Sequence, residues 1–383
     1  MNLLIKKLLT IIKRSDLLNE KSDKIKDIFI FDAHCDTAYE LYYQSLYPSQ
    51  KKENHLTFKK AKKGGLNAQI FAIYVNPLYS PDNCKKKALM IYNTLEKKIF
   101  KSNQALKVKS TKEMESCLKK GKLASLISLE SGHIIENSLD VLEFFYSLGI
   151  RIMTLTHTKN TDWADSSGDK PKHDGLTKFG RQIIKKMDNL GMAIDVSHSS
   201  DKTVEDVLET SSMPIMASHS CCRKLCNIPR NIPDNLIKEI AENKGYIGVN
   251  FWPGFLKKDI YDQVTKNIEL NSKWYEKEIK ENEKDLDKID MIEMEFFSKL
   301  SKGNDKLNLN SVIKHIVHII DTGGIDCVGL GSDFDGIPST PTDLKDVSYY
   351  PNLVDGLSNK GFNEKEIRKI MGLNLKEFLE QFD

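Results

Sequence analysis

The chain has 383 residues, 40% of them apolar and 29% charged, with 57 basic against 54 acidic side chains. This is the composition of a globular protein of one large domain or two ordinary ones, and a net charge of +3 leaves no basic excess to suggest a nucleic-acid partner. Seven cysteines, odd in number and irregularly spaced, make neither a disulfide framework nor a zinc ribbon and fit a reducing, cytoplasmic compartment.

In chain order, residues 1–26 open with MNLLIKKLLTIIKR, where Leu3, Leu4, Leu8, Ile11 and Ile12 form one helical stripe with basic residues opposite. The stripe predicts an amphipathic helix docked on the protein's own body or on the partner of a homodimer, with a membrane-surface helix as the alternative. Lysines at 6, 7 and 13 and the lack of a small-residue cleavage site argue against a secretion signal. No window reaches the ~20 apolar residues of a membrane span. The C-terminal LNLKEFLEQFD reads as a charged amphipathic helix, so no stable membrane anchor is expected.

Eight apolar runs follow: IFIFDAH (28–34), NAQIFAIYV (67–75), LASLISLE (123–130), IRIMTLTH (150–157), MAIDVSH (192–198), PIMASH (214–219), YIGVNFW (246–252) and CVGLGSD (327–333). Continuous runs of this kind mark strands buried on both faces, as in a parallel sheet. Helical patterns at 138–149, 176–191, 200–211 and 309–324 separate them. The alternation, without a G-x-G-x-x-G turn or a P-loop, predicts an α/β fold, a (β/α)8 TIM barrel over 27–383 with helical insertions. Residues 76–122 read as a lysine-rich helical connection. Residues 254–308 read as a charged helical insertion after strand seven, on the side of the strand C-termini, where it would serve as a lid or a dimer surface.

Six of the eight runs end on residues suited to acid–base or metal chemistry: His34 with Asp36, Glu130, His157, His198, His219 and Asp333. A barrel brings such ends to one rim. A single histidine there is usually structural, and a lone glutamate can cap the next helix, but recurrence at six ends points to metal binding. Alternation along the strand puts His34 and Asp36 on one face and turns Cys35 away as a packing residue. One cation then has His34, Asp36 and Glu130; a second has His198 and His219 if Glu130 bridges. Imidazole plus carboxylate suits zinc, and a paired site of this kind performs hydrolysis.

At these residues the chain resembles the membrane (renal) dipeptidase family, binuclear zinc hydrolases on an amidohydrolase-like TIM barrel. The matching segments are DAHCDT, SLESGHII, RIMTLTHTKNTDWADS, GMAIDVSHSS, PIMASHSCCRKLCNIPRNIPD, GYIGVNFWPGF and VGLGSDFDGIPSTPTDLKDVSYYPNLV, in family order from near residue 28 to near 378. The resemblance implies two Zn2+ ions, with His34 and Asp36 on one, His198 and His219 on the other and Glu130 bridging. It places His157 beside the substrate carbonyl, Arg230 on the substrate, and Asp333 as the acid–base residue, preferred to Asp335 because it stands at the strand end. The implied reaction is hydrolysis of dipeptides, including those with a D-residue on the carboxyl side, by attack of a metal-bridging hydroxide. Asp333, His157 and Glu130 would serve catalysis, and Arg230, His157 and Asp333 would contact substrate. The alternatives are lactone or cyclic-amide hydrolysis on the same barrel, against which strand four ends in His157 rather than lysine, and a catalytically silent binding protein, against which none of the polar strand ends is missing. Animal family members carry secretion and lipid-anchor signals at their ends that this sequence does not display.

Overall fold

Strands with no polar face must be sealed between two layers, and in the computed structural model all eight apolar runs become parallel strands of one closed sheet. The structure describes residues 28–50, 52–77, 81–282, 284–300 and 307–383; the amphipathic segment expected at 1–26 lies outside them. The strands are β1 (Ile30–Cys35), β2 (Leu66–Tyr74), β3 (Ala105–Lys107), β4 (Leu123–Glu130), β5 (Ile152–Thr154), β6 (Ala193–Asp195), β7 (Ile215–Ala217), β8 (Tyr246–Val249) and β9 (Val328–Leu330). All but β3 form the barrel: β2 pairs with β4, leaving β3 outside the ring, and the last strand, β9, returns to pair with the first, β1. Because every pairing is parallel, all C-terminal strand ends share one rim.

The short β3 falls in the 76–122 stretch that reads as purely helical, and three residues are too few to display a strand period. It pairs with the start of β4 on the edge that β5 takes over at the end of β4. Several barrel strands are shorter than their apolar runs. Glu130 ends β4 and His34 lies within β1, but Asp36, His157, His198, His219 and Asp333 sit one to three residues beyond their strands.

Phe31, Ala33, Ala68, Ile70, Ala124, Leu126, Ile152, Ala193, Met216 and Tyr246 join one buried cluster, a ring of contributions that can meet only inside the barrel. Leu375, Phe378 and Leu379 of the C-terminal helix Asn374–Glu380 belong to the same cluster and plug its N-terminal end. A larger cluster lies between the strands and the surrounding helices. Along β1 the faces do not simply alternate: Asp32 to Cys35 advances three residues while Gln69 to Phe71 on β2 advances two. The extra residue is a bulge that resets the phase. Ala33 therefore joins the inner cluster, Cys35 the outer one, and His34 turns to the rim centre.

The insertion forms the helices Pro253–Leu256, Lys258–Glu281 and Leu286–Leu300, after β8, the seventh barrel strand. Tyr275 stacks on Phe296 with ring centroids 4.3 Å apart and joins the two long helices. The second of them reaches the loops after β1 and β2. Asp290 pairs with the buried Lys87, Asp287 receives Tyr42 and Tyr47 hydroxyls, and Glu293 receives Tyr74 and Asn76. Among the described residues no helix is long and apolar enough to cross a membrane. All seven cysteines are free and buried.

Candidate active site

Glu130 stands at the middle of the rim, 3% exposed. His34 Nε2 lies 3.4 Å from its Oε2, while His157, His198 and His219 Nε2 lie 3.7, 3.5 and 3.6 Å from its Oε1. Asp36 Oδ2 is 3.5 Å and Asp333 Oδ1 3.9 Å from the same His34 nitrogen. The seven rim residues expected from the sequence are therefore brought together. Their ligand-type atoms form three overlapping groups: His34, Glu130 and His219; Glu130, His157 and His198; His34, Asp36 and Asp333. His219 stacks on His34, with centroids 3.8 Å apart, although its Nε2 is also 2.9 Å from that of His198. The sequence pattern paired His198 with His219; in space His198 also has His157 beside it, with centroids 4.3 Å apart.

Two of these side chains are presented by left-handed backbone, His198 at φ 67° and Asp333 at φ 61°. For residues other than glycine such a conformation costs roughly 1–3 kcal/mol and persists only where neighbours hold it. The His198 carbonyl accepts from the Ser167 amide at 2.8 Å, the Asp333 amide donates to the His34 carbonyl at 3.1 Å, and Asn250 Nδ2 donates to Asp333 Oδ2 at 2.8 Å. Asp335 is used differently. It accepts from Thr37 Oγ1 and the His55 amide, both at 2.6 Å, and so ties down the loop after β1.

Buried carboxylates brace the histidines from beneath. Asp195 accepts from the Ser197 and Ser218 amides and from the Thr154 and Ser218 hydroxyls. Ser218 spends its one proton on Asp195 at 2.6 Å, so at 2.7 Å it must accept from His219 Nδ1–H. The lone pair of His219 Nε2 is thereby left facing Glu130. Asp32 plays a similar part under His34, accepting from its amide, from Ser332 and from the Tyr350 hydroxyl. Strand-end position does not point to these braces; their signal in the sequence is a charged residue inside an otherwise apolar run, FDAH and AIDVSH.

Burial, reinforced by Asp36, pushes the Asp333 carboxyl up to about 7, and burial with Glu130 nearby pushes Asp36 up to about 6. Burial, then the Arg230 charge, lowers His157 to about 3 and holds His198 well below the ordinary imidazole range. Burial, then His34, does the same to His219. Burial alone would also lower His34, but Glu130 and Asp36 outweigh it and hold His34 well above that range. The carboxylates thus create a demand for positive charge where the neutral imidazoles of His198 and His219 stand beside Glu130. His34 Nε2 and Asp36 Oδ1 are buried without a hydrogen-bond partner among the described residues. Unmatched donor atoms of this chemistry fit divalent cations.

Arg230 reaches the same rim from the loop after β7. Its Nη1 donates to Ser220 Oγ at 2.8 Å and its Nη2 to the His219 carbonyl at 2.7 Å, while the guanidinium lies 5.1 Å over the Phe255 ring. Its Nε is buried with no partner among the described residues. An N–H in that state can serve an incoming carboxylate.

Residues 19–382 match the family of membrane dipeptidases, Peptidase family M19. Dipeptidase tcpJ of Claviceps purpurea is 27% identical over 355 residues, 88% of this chain and 71% of that protein. The uncharacterized dipeptidase C965.12 of Schizosaccharomyces pombe is 29% identical over 370 residues, 90% of this chain and 78% of that one. Among solved structures, the probable dipeptidase PvdM from Pseudomonas aeruginosa superimposes with a TM-score of 0.80 at 24% identity, covering 96% of this chain and 98% of that one. A metallo peptidase from Rhodobacter sphaeroides, liganded with a phosphinate mimic of the dipeptide L-Ala-D-Ala, gives 0.76 at 24% identity, covering 93% and 99%. The barrel, the ordered polar rim and a match over nearly the whole sequence agree: this chain belongs to the membrane dipeptidase family, the M19 metallopeptidases.

Proposed function

We propose that the protein hydrolyses dipeptides, including those with a D-residue on the carboxyl side, using two divalent ions, Zn2+ by the chemistry of the donor set, held by His34, Asp36, Glu130, His198 and His219. The convergence of four imidazoles on the Glu130 carboxylate carries this reading. When bound, the ions would lower the pKa of a water molecule and polarise the peptide carbonyl. Glu130, at the centre of the rim, would offer one carboxylate oxygen on the side of His34 and the other on the side of His198 and His219. His157 has no partner for Nδ1 among the described residues, so its proton belongs on Nε2, where it can donate to the developing oxyanion. Asp333, held by Asn250 beside His34, would take a proton and return it to the leaving amine. Arg230 clamps the substrate carboxylate one residue beyond the scissile bond, reading the carboxylate rather than the side chain. The Rhodobacter sphaeroides relative, liganded with a mimic of L-Ala-D-Ala, supports a D-residue there.

The test is metal analysis of the purified protein together with assays on L-Ala-L-Ala, L-Ala-D-Ala, their amides and a tripeptide. Two equivalents of metal, loss of activity on chelation and restoration by Zn2+ are expected, with both dipeptides cleaved and the amides poor. Full activity with one equivalent would sink the paired site. Equal cleavage of the amides would remove the Arg230 clamp, and preference for the tripeptide would remove the dipeptidase reading.

A further inference from the structure

His157 is aimed without the usual anchor. A working imidazole is ordinarily fixed by a hydrogen bond at its far nitrogen, yet Nδ1 of His157 is buried with no such partner among the described residues. Ring contacts hold it instead: the His198 ring with centroids 4.3 Å away and the Tyr74 ring with centroids 4.8 Å away. Tyr74 ends β2 directly across from Glu130 in the β2–β4 ladder. Its backbone is fixed by that ladder, and its hydroxyl donates at 2.9 Å to Oε1 of Glu293, which the insertion helix Leu286–Leu300 brings in from 219 residues away. The other Glu293 oxygen accepts from Asn76, two residues past Tyr74, and Glu293 is 8% exposed. A phenol pinned at both ends cannot tilt, so it makes a rigid wall for the imidazole.

We propose that Glu293, acting through the Tyr74 hydroxyl, is a positioning residue for His157, so that the helical insertion sets the aim of the group that receives the oxyanion. The inference rests on the reading of His157 given above. Among the described residues neither the Tyr74 hydroxyl nor Glu293 hydrogen-bonds to His34, Asp36, Glu130, His198, His219 or Arg230, so disturbing the pair leaves metal binding and carboxylate binding in place. A misaimed donor weakens transition-state binding and spares ground-state binding, which lowers kcat and leaves KM.

The experiment measures kcat, KM and metal content on L-Ala-L-Ala for Tyr74→Phe, Glu293→Ala, Glu293→Gln, the double variant Tyr74→Phe/Glu293→Ala, and Tyr74→Phe in a His157→Ala background. Tyr74→Phe and Glu293→Ala should each lower kcat about five-fold, the kinetic equivalent of one ordinary hydrogen bond, with KM and metal content unchanged. The double variant should be no slower than either single one, Glu293→Gln should fall between the parent and Glu293→Ala because its one amide oxygen can still accept from Tyr74 while its NH2 meets the Asn76 donor, and Tyr74→Phe should cost nothing further once His157 is gone. Tyr74→Phe keeps the ring and its packing, so it tests the idea even if Glu293→Ala loosens the insertion. A His157→Ala protein with parental kcat would overturn the reading of His157 itself. A slow His157→Ala beside a parental Tyr74→Phe, or a Tyr74→Phe effect that persists undiminished without His157, would overturn the coupling alone.

Discussion

Gly336 shows how little room the rim allows. A methyl group on it would lie 2.0 Å from Asp36 Oδ2 and 2.6 Å from Asp333 Oδ1, far inside contact distance, so only a hydrogen fits behind the two carboxylates. Gly336→Ala is expected to displace both, lowering metal occupancy and reducing kcat about ten-fold or more, read by metal analysis beside steady-state kinetics. Asp333→Asn is the contrasting change. It keeps the shape and an oxygen for Asn250 but cannot carry the proton, so kcat should fall on the order of 100-fold with metal retained. A near-parental kcat would take the acid–base role away from Asp333. The sequence SDFDG offers two aspartates of equal chemistry, and position at the strand end favours the first. What separates them in space is their partners: Asp335 is committed to Thr37 and the His55 amide, whereas Asp333 faces His34.

At the level of elements, His315 and Asp290 hold the loops and the insertion against the barrel. His315, on the helix Asn310–Gly323, accepts from the Cys222 amide through Nδ1 at 3.0 Å, so its Nε2–H donates to the Leu256 carbonyl at 3.2 Å. It must stay neutral to do both, and burial lowers its pKa to about 4. Below the unfolded value of 6.5 the unfolded chain binds the proton and the folded one does not, so this contribution is complete above pH 6.5 and is lost as pH falls towards 4, by about 3 kcal/mol. Urea midpoints of the parent and of His315→Gln between pH 7 and 4 should converge on the acid side; a constant gap would show that His315 does not titrate in this way. Asp290 is fully buried against Lys87. Asp290→Ala leaves an ammonium group without that partner in the seam, a penalty of about 3–5 kcal/mol for breaking a buried pair, and should expose the helices Lys258–Glu281 and Leu286–Leu300 to limited proteolysis before the barrel is cut. Simultaneous loss of barrel and insertion would show that the two unfold as one unit. The helical nature of the insertion is legible from composition, but its docking is not, because Lys87 and Asp290 are 203 residues apart and each looks like an ordinary surface charge in sequence.

On the scale of the whole molecule, the barrel has to close between its first strand and its last. The ladder between β1 and β9 runs through the pair Asp32 and Leu330, extended by an isolated bridge from Cys35 to Phe334. Asp32 reinforces that short seam by accepting from the Ser332 amide at 2.9 Å, from the Ser332 hydroxyl, and from the Tyr350 hydroxyl at 2.7 Å. Asp32→Asn turns one acceptor into a donor facing donors and should cost roughly 2–4 kcal/mol of global stability, seen as a lower urea midpoint with an unchanged slope. An unchanged midpoint would mean that strand pairing alone closes the barrel.

By itself the sequence determined the eight strands, their parallel packing and the chemical character of the rim, because each is written locally: an apolar run must be covered on both faces, and the residue type just past its end is the one presented at the rim. Tertiary structure alone decided which of those groups touch. The bulge that turns His34 inward depends on how β1 registers against β2, a property of two strands and of neither separately. The tautomer of His219 follows from where Ser218 spends its proton, on Asp195 of the neighbouring strand. The pairing of Tyr74 with Glu293 spans 219 residues, and no local pattern encodes it, since a buried carboxylate and a solvated one are the same letter until the chain closes around one of them.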